Sequence, residues 1–223
     1  ADGFGKFGAS DVEEGWDDEA RRYFINIVGK YGSQVQALLK KASTLDIQTI
    51  CPLHGPVLKE NLGYYIGKYL TWSSYESEEE GVVVAYASIH GNTGNAARRM
   101  AEILQEKGAE TVRVFDLARD DMAEAVSSAF RYSRLVVMGV TYDGNLFPCM
   151  EDFLYHLKIK TYRKRKVGIV ENGSWAPMAG KLMKAYFEGM KEIEICEPVV
   201  TIKSVMKEAD EENMKLLAEA VLA

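Results

Sequence analysis

From residue 82 to the end of the chain, apolar segments of strand length alternate with segments of helical periodicity. The first, "GVVVAYA" (81–87), is a continuous apolar run typical of a strand covered on both faces, and a helical pattern from Ala96 to Leu104 follows it. The later strand segments, each followed by a helical one, are "ETVRVFDL" (110–117), "RLVVMGVTY" (134–142), "RKVGIVENG" (165–173) and "EICEPVVTI" (194–202). Five strands alternating with five helices predict an α/β fold, a doubly wound five-stranded parallel sheet.

The N-terminal third of the chain follows a different pattern. Helical periodicity runs from about Asp17 to Ala42 and is interrupted at Gly29 and Gly32, which predicts one broken helix or two. A short strand, "DIQTIC", is predicted next, and Asn61 can cap the following helix, "LGYYIGKYLTW". These elements are too few for a complete domain.

An acidic run separates the two patterns. "SSYESEEEG" (73–81) follows an aromatic-rich stretch and carries four glutamates in five positions. Runs of this kind are usually solvated. We therefore predict a linker at 76–81, between part of one domain at 1–75 and a second domain at 82–223.

Composition and charge narrow the classes of function. With 33 acidic against 27 basic residues, the net charge of −6 gives no electrostatic footprint for nucleic acid or anionic lipid. Cys51, Cys149 and Cys196 form no CxxC pair, which argues against a disulfide framework, a zinc knuckle or a rubredoxin-type iron site and favours a reducing cytoplasm. No apolar run approaches the roughly 20 residues of a membrane span. Because the sequence starts at Ala1 rather than at methionine, we expect a processed chain or a piece of a longer polypeptide.

The turn after the first strand is rich in hydrogen-bond donors. It lies where free backbone N–H groups and the positive end of the helix dipole converge, which suits an anion. No lysine follows as in GxxxxGK, and GxGxxG is absent, so a single phosphate monoester held by neutral donors fits better than a nucleoside triphosphate or a dinucleotide. The alternative is an ordinary turn capped by a threonine. The candidate residues are Ser88, Ile89, His90, Gly91, Asn92 and Thr93.

Two further loops follow the third and fourth strands, at the same edge of the sheet. "TYDGNLFP" (141–148) and "NGSWAPMAG" (172–180) each offer one or more aromatic rings among turn-forming residues, and such rings can hold a flat conjugated ligand. Taken singly, each ring could instead be a surface hydrophobe. The candidate residues are Thr141, Tyr142, Asp143, Gly144, Asn145, Asn172, Gly173, Ser174 and Trp175.

These three loops resemble those of flavodoxins. "SIHGNT" is similar to the flavodoxin phosphate loop, and the other two are similar to the loops that hold the isoalloxazine ring of FMN. The resemblance covers residues 82–223 and implies a flavodoxin-like fold with FMN as cofactor. It also implies that the Asp143–Gly144 peptide meets N5 of the reduced flavin. His90 departs from the usual pattern, and we expect a solvent-facing loop histidine there.

The N-terminal segment extends the resemblance. "ADGFGKFG" and "CPLHGP", followed by an aromatic helix and a flavodoxin-like domain, resemble the end of the metallo-β-lactamase-like αββα domain of flavodiiron proteins. That resemblance implies electron transfer through FMN to a non-haem site of two iron ions, which reduces O2 to water or NO to N2O. It implies that Asp2 is the carboxylate bridging the irons and His54 a terminal ligand, a donor set that suits iron.

The same resemblance implies ligands that this chain lacks. Family members carry an HxExDH-like set and another histidine further upstream, whereas the histidines here are His54, His90 and His156. Two ligands cannot hold two irons, so we expect the chain alone to lack a complete diiron site.

The resemblance also implies partners for the protein, and the sequence leaves alternative functions to weigh. The resemblance implies a rubredoxin-like or other redox donor and a head-to-tail homodimer, or homotetramer, in which the edge around Tyr142, Phe147 and Trp175 faces the metal domain of the partner subunit. One alternative is a free-standing flavodoxin-like FMN carrier with a non-metal N-terminal docking segment. A receiver module is disfavoured, because "ASIH" follows the first strand where an acidic pair would be needed.

Overall fold

A computed structural model describes residues 16–223, and the chain divides into two compact units, Ala1–Glu78 and Glu79–Ala223. The helices of the first unit are α1 (Trp16–Tyr23), α2 (Gly32–Ala42) and α3 (Leu62–Ser74), with a π-helical turn at Phe24–Val28 and a 3-10 turn at Gly29–Tyr31 between α1 and α2. The predicted broken helix is confirmed, and its break lies at the predicted glycines.

The break between α1 and α2 allows the backbone of α2 to approach α3 closely. A Cβ at Gly32 would lie 2.3 Å from the carbonyl oxygen of Ser73 and 2.8 Å from the ring of Tyr75. The Tyr75 hydroxyl donates to the carbonyl of Gly29 at 2.9 Å and accepts from the N–H of Gly32 at 3.2 Å. Glycine is therefore required at residue 32 for close packing.

The predicted strand at 46–51 is wrong. Within it, only Ile50 has strand-type pairing, as an isolated antiparallel bridge to Leu58. Most side chains from Leu45 to Cys51 are exposed, so no apolar face exists there that a sheet could bury.

The acidic run differs from the solvated linker predicted from the sequence. Glu79 and Glu80 begin the first strand of the second unit, and the side chain of Glu78 is only 3% exposed. Glu78 accepts hydrogen bonds from Arg21, from Lys68 Nζ at 2.9 Å and from Trp72 Nε1 at 2.6 Å. A buried carboxylate needs such partners, and those partners lie in α1 and α3, outside the acidic run.

The second unit is built on one mainly parallel sheet. Its strands are β1 (Glu79–Tyr86), β2 (Val112–Asp116), β3 (Tyr132–Tyr142), β4 (Asn145–Leu146), β5 (Arg165–Asn172), β6 (Ile193–Ile195) and β7 (Val200–Ile202). The order is β2-β1-β3-β5-β6, with β7 also parallel to β5 and β4 antiparallel to β3. The parallel α/β prediction is confirmed, and the predicted fifth strand is present as two short pieces, β6 and β7.

Helices cover both faces of this sheet. They are α4 (Asn92–Glu106), α5 (Met122–Arg131), α6 (Pro148–Ile159), α7 (Ala179–Glu188) and α8 (Glu208–Leu222). On one face, α4 and α8 bury Met100, Leu104 and Leu217 against Val84 and Val136 of the sheet. This burial on both sides explains why the strand segments are continuous apolar runs rather than alternating ones.

Candidate functional site

The three predicted loops begin where β1, β3 and β5 end, and these are adjacent parallel strands. The register pairs Tyr86 with Met138 and Val140 with Asn172, so the loops leave the same edge of the sheet. Strand order also reverses here, because β1 leads outward to β2 on one side and β3 leads to β5 on the other. Crevices at such reversals are the usual ligand sites of open α/β sheets.

The turn after β1 is shaped to leave hydrogen-bond donors free. Gly91 precedes α4 with a left-handed φ of 89°, and its N–H donates to Ser88 Oγ at 3.1 Å. A Cβ at Gly91 would meet nothing within 4 Å, so glycine is needed there for its conformation rather than for space. The first N–H groups of α4 have no acceptor within the helix and can point toward an anion.

The turn combines buried hydroxyls with an exposed rim. Ser88 and Thr93 are buried, whereas Ile89, His90 and Gly91 are exposed. The exposure of His90 agrees with the solvent-facing position predicted for it.

A cavity of about 280 Å³ adjoins the turn, and Arg98, Asp116 and Arg119 contribute to its lining. The Asp116 carboxylate binds Arg119 at 2.7 Å and accepts from the Tyr86 hydroxyl at 3.2 Å. Burial, and then the charge of Asp116, raise the pKa of Tyr86, so this hydroxyl keeps its proton. Arg98 adds positive charge beside a turn whose own donors are neutral, whereas the charge of Arg119 is offset by Asp116.

Asn172 connects the end of β5 with two other segments. Its Nδ2 donates to Thr93 Oγ1 at 3.3 Å and to the carbonyl of Ser204 at 2.9 Å, and its Oδ1 accepts from the N–H of Ser204 at 2.9 Å. Asn172 is 5% exposed. The side chain thus joins the turn after β1 to the loop after β7, and does not extend toward the loop that follows it.

Thr141 and Glu171 cap α7 from neighbouring strands. Thr141 Oγ1 accepts from the N–H groups of Met178 at 2.9 Å and Ala179 at 3.1 Å, and a Glu171 carboxylate oxygen accepts from Gly180 at 2.7 Å. The second Glu171 oxygen accepts from the Thr201 hydroxyl at 2.8 Å. The N-terminus of α7 therefore already has acceptors, whereas no side chain caps the N-terminus of α4 after the turn that follows β1.

The loop after β3 is a tight hairpin. Asp143 and Gly144 have φ values of 49° and 71°, and Tyr142 pairs with Asn145 across them. Two consecutive left-handed residues are characteristic of a type I′ turn, for which Asp-Gly is a preferred sequence. Both residues are exposed, so the peptide between them stands at the surface of the edge.

The aromatic side chains of the loops differ in their surroundings. Tyr142 is 43% exposed and packs edge-on against Phe147 with ring centroids 5.4 Å apart. Trp175 is 95% exposed, between the exposed Ser174 and Ala176. Gly173, which precedes them, is held by an N–H bond to the carbonyl of Ile202 at 3.1 Å, and a Cβ there would lie 2.9 Å from Pro177 Cα.

Of the two predicted iron ligands, the structure describes only His54. Asp2 lies outside the described residues. His54 is exposed, and its ring lies 5.3 Å from that of Tyr23. In residues 16–223, no group of three or more His, Cys, Asp or Glu side chains could hold a metal ion.

Sequence reasoning missed Ser204, Glu171 and Thr201 as parts of this edge. Ser204 has a left-handed φ of 69°, and Glu171 is 8% exposed. An acidic residue near the end of an otherwise apolar strand was the only available signal for Glu171. None existed for Ser204, whose backbone rather than its side chain binds Asn172.

Comparisons with known proteins agree with this architecture. An uncharacterised protein of Methanocaldococcus jannaschii is 28% identical over 214 residues, which cover 93% of this chain and 54% of the relative. A nitric oxide reductase of Moorella thermoacetica is 24% identical over 209 residues, 92% of this chain and 52% of the enzyme. The chain thus spans about half the length of these relatives, and no family model matches it.

Solved structures extend the likeness to both units. The rubredoxin oxygen:oxidoreductase of Desulfovibrio gigas has a TM-score of 0.86 at 21% identity, covering 94% of this chain and 53% of that one. A mutant flavo di-iron protein of Thermotoga maritima has a TM-score of 0.80 at 23% identity, with 95% and 55% covered. Flavodoxin 1 of Bacillus cereus, by contrast, covers 64% of this chain and 97% of its own, with a TM-score of 0.57 at 17% identity. Several of the homologues and structural neighbours are flavodiiron proteins, and this chain matches their C-terminal part.

Proposed function

We propose that this chain is the FMN-bearing C-terminal part of a flavodiiron oxidoreductase that reduces O2 to water, NO to N2O, or both. The observation that carries the proposal is the edge formed by the loops after β1, β3 and β5, in which Asn172 and Thr141 join the loops by hydrogen bonds. Relatives that align with nearly the whole chain are named as enzymes of this kind.

The residues of this edge suit FMN. Ser88, Thr93 and the N–H groups at the start of α4 would hold its phosphate, with Gly91 allowing the close approach of the backbone. Tyr142 and Trp175 would flank the ring, and the exposed Asp143–Gly144 peptide would face its edge. When bound, FMN supplies the transfer of electrons. The chain's own contribution is to orient the cofactor and to neutralise the charge of its phosphate.

The proposed iron site, unlike the FMN site, needs ligands from outside this chain. We propose Asp2 and His54 as its catalytic ligands in the complete protein, together with ligands that this chain does not contain. The part of the chain that the structure describes assembles no metal centre by itself.

The proposal extends to partners of the complete protein. A rubredoxin-like or other redox donor would deliver electrons, in the cytoplasm, to a head-to-tail homodimer or homotetramer. Within residues 16–223, no helix has both the length and the apolar character needed to cross a membrane. The free-standing carrier is the weaker hypothesis, because the relatives also align with the first unit, which the flavodoxin leaves uncovered.

Flavin binding by the 223-residue chain tests the proposal. Purified protein stripped of flavin is titrated with FMN, FAD and riboflavin, with quenching of flavin fluorescence as the readout. We expect FMN to bind most tightly, because a single open phosphate turn is present. Recovery of FAD from the purified chain, or the absence of flavin binding, would refute the FMN site.

Iron content and turnover test the second half of the proposal. The chain alone should bind little iron and reduce neither O2 nor NO, and addition of the upstream segment should restore both properties. In that complete protein, Asp2→Ala or His54→Ala should abolish turnover and leave the flavin bound. Two irons held normally after both substitutions would show that these residues are not ligands.

A further inference from the structure

The orientation of the Asn172 amide is fixed by the backbone of one other residue. Its Oδ1 faces the N–H of Ser204 and its Nδ2 faces the carbonyl oxygen of Ser204, each at 2.9 Å. A backbone N–H can only donate and a carbonyl can only accept, so the amide cannot be turned over without losing both bonds. The second hydrogen of Nδ2 is therefore available in one direction, toward Thr93.

This fixed amide determines the role of the Thr93 hydroxyl. Thr93 Oγ1 lies 3.3 Å from Asn172 Nδ2 and must accept, because the nitrogen has no lone pair to offer. Its single hydrogen then points elsewhere, and among the described residues no acceptor for it is found. The Ser88 hydroxyl likewise acts as an acceptor within the protein, because its oxygen accepts from the N–H of Gly91 at 3.1 Å. Both hydroxyls of the turn are thereby left with a hydrogen to donate.

We infer that Asn172 is a positioning residue for a phosphate monoester, which it serves by holding the Thr93 hydroxyl as a donor. This inference rests on the FMN site proposed above and changes the role of one of its residues. The loop "NGSWAPMAG" suggested that Asn172 contacts the flavin ring, whereas its hydrogen bonds lead to the phosphate turn. Ser204 provides the backbone groups that hold the amide.

The chemical consequence is selectivity for an anion that only accepts hydrogen bonds. A phosphate monoester near neutral pH presents oxygens that accept, and hydrogen bonds to a charged acceptor are stronger than neutral ones. A hydroxyl oriented in advance as a donor binds such a ligand without turning away from another acceptor. A ligand without phosphate gains nothing from that orientation.

Asn172→Asp tests the inference by reversing the hydrogen bond to Thr93, and it also removes the one that Nδ2 donates to the carbonyl of Ser204. The variant keeps the shape of the side chain but replaces the amide donor by a carboxylate oxygen, toward which the Thr93 hydroxyl then turns its hydrogen. We expect the affinity for FMN to fall by about ten- to a hundred-fold, the range for a lost hydrogen bond to a charged group. The affinity for riboflavin, which lacks the phosphate, should change by less than about three-fold. The control Asn26→Asp makes the same substitution in the first unit and should leave both affinities unchanged.

A double-mutant cycle separates the hydrogen-bond effect from the added charge. Asn172→Ala and Thr93→Val are made singly and together, and the ratio of FMN to riboflavin affinity is measured for each. If Asn172 acts through the Thr93 hydroxyl, the double variant should have the ratio of Thr93→Val alone. Thermal unfolding followed by circular dichroism identifies any variant that fails to fold, in which case Asn172→Asp supplies the test.

The outcomes distinguish this inference from the function on which it rests. Wild-type protein that binds no FMN would overturn the proposed site and this inference with it. Normal FMN binding by the wild type, combined with equal losses of FMN and riboflavin in Asn172→Asp, would show that Asn172 only maintains the loop. Additive effects of Asn172→Ala and Thr93→Val on the ratio of FMN to riboflavin affinity would likewise overturn the inference and leave the FMN site standing.

Discussion

Glu78 provides a stringent test of the interactions that stabilise the first unit. Its carboxylate is 3% exposed and forms a two-oxygen ion pair with Arg21, whose side chain is also 3% exposed. Lys68 Nζ and Trp72 Nε1 bind the same carboxylate. Glu78→Gln preserves the size of the side chain and removes its charge, so it tests the ion pair with little change in packing.

The expected loss of stability follows from the burial of Arg21. Removing one member of a buried ion pair costs about 3–5 kcal/mol, because the other charge is left without its counter-charge. Asp18, which binds Arg21 at 2.9 Å, is 50% exposed and offers a weaker, solvent-screened replacement. The new amide also presents an –NH2 group where Arg21, Lys68 or Trp72 previously donated. We therefore expect the first unit to lose about 3–5 kcal/mol of unfolding free energy.

Urea denaturation followed by tryptophan fluorescence measures this loss, because the indole of Trp72 binds Glu78 directly. Glu80→Gln is the matched control from the same acidic run. Glu80 pairs with Arg134, but its side chain is 76% exposed, so the control should cost less than about 1 kcal/mol. A Glu78→Gln loss within about 0.5 kcal/mol of the control would refute the assignment of Glu78 as a buried structural charge.

Two further predictions concern acid stability and the loop after β5. Burial would raise the pKa of Glu78, but the hydrogen bonds and charge of Arg21, followed by those of Lys68 and Trp72, outweigh it and lower that pKa from its ordinary value of 4.5. The stability that Glu78 contributes should be complete above pH 4.5 and should be lost as the pH falls through the lowered pKa. Acid unfolding followed by tryptophan fluorescence should detect this loss in the wild type and not in Glu78→Gln. Thr141→Val removes the cap of α7 and should cost about 1–2 kcal/mol in thermal unfolding. It should also speed hydrogen exchange at the amides of Met178 and Ala179, and unchanged exchange there would contradict the capping role.

The fold of the second unit was largely predictable from its sequence. Strands buried on both faces give continuous apolar runs, and helices that each cover one face give a clear helical period, so β1, β3 and β5 with their helices were recognised. The segment from Glu194 to Ile202 reads as one strand, but the structure divides it into β6 and β7 around Glu197–Pro198. Both pieces pair with β5, but in different registers, and periodicity within one segment cannot show such a shift.

The errors in the first unit have a similar origin. Local sequence gives Glu78 the same solvated role as Glu79 and Glu80, whereas the structure buries Glu78 against Arg21, 57 residues earlier in the chain. The segment 46–51 has strand-forming residues, but within residues 16–223 it has no neighbouring strand beyond the single bridge to Leu58. In both cases the decisive partner is distant in sequence, and composition carries no information about it.

At the candidate site, the sequence predicted the location of the residues but not their hydrogen-bond partners. The sequence placed polar residues at the ends of three adjacent strands, and the structure brings those ends to one edge, so the location followed from topology. The direction of each side chain did not follow. Asn172 is held by the backbone of Ser204 and by Thr93, so its amide is not free to bind a ligand by itself. The oxygens of Ser88, Thr93 and Thr141 already accept hydrogen bonds from the protein, so the hydrogens of these three hydroxyls are the groups left to meet a ligand. A strand-end polar residue should therefore be assigned to a ligand only after its backbone partners are known.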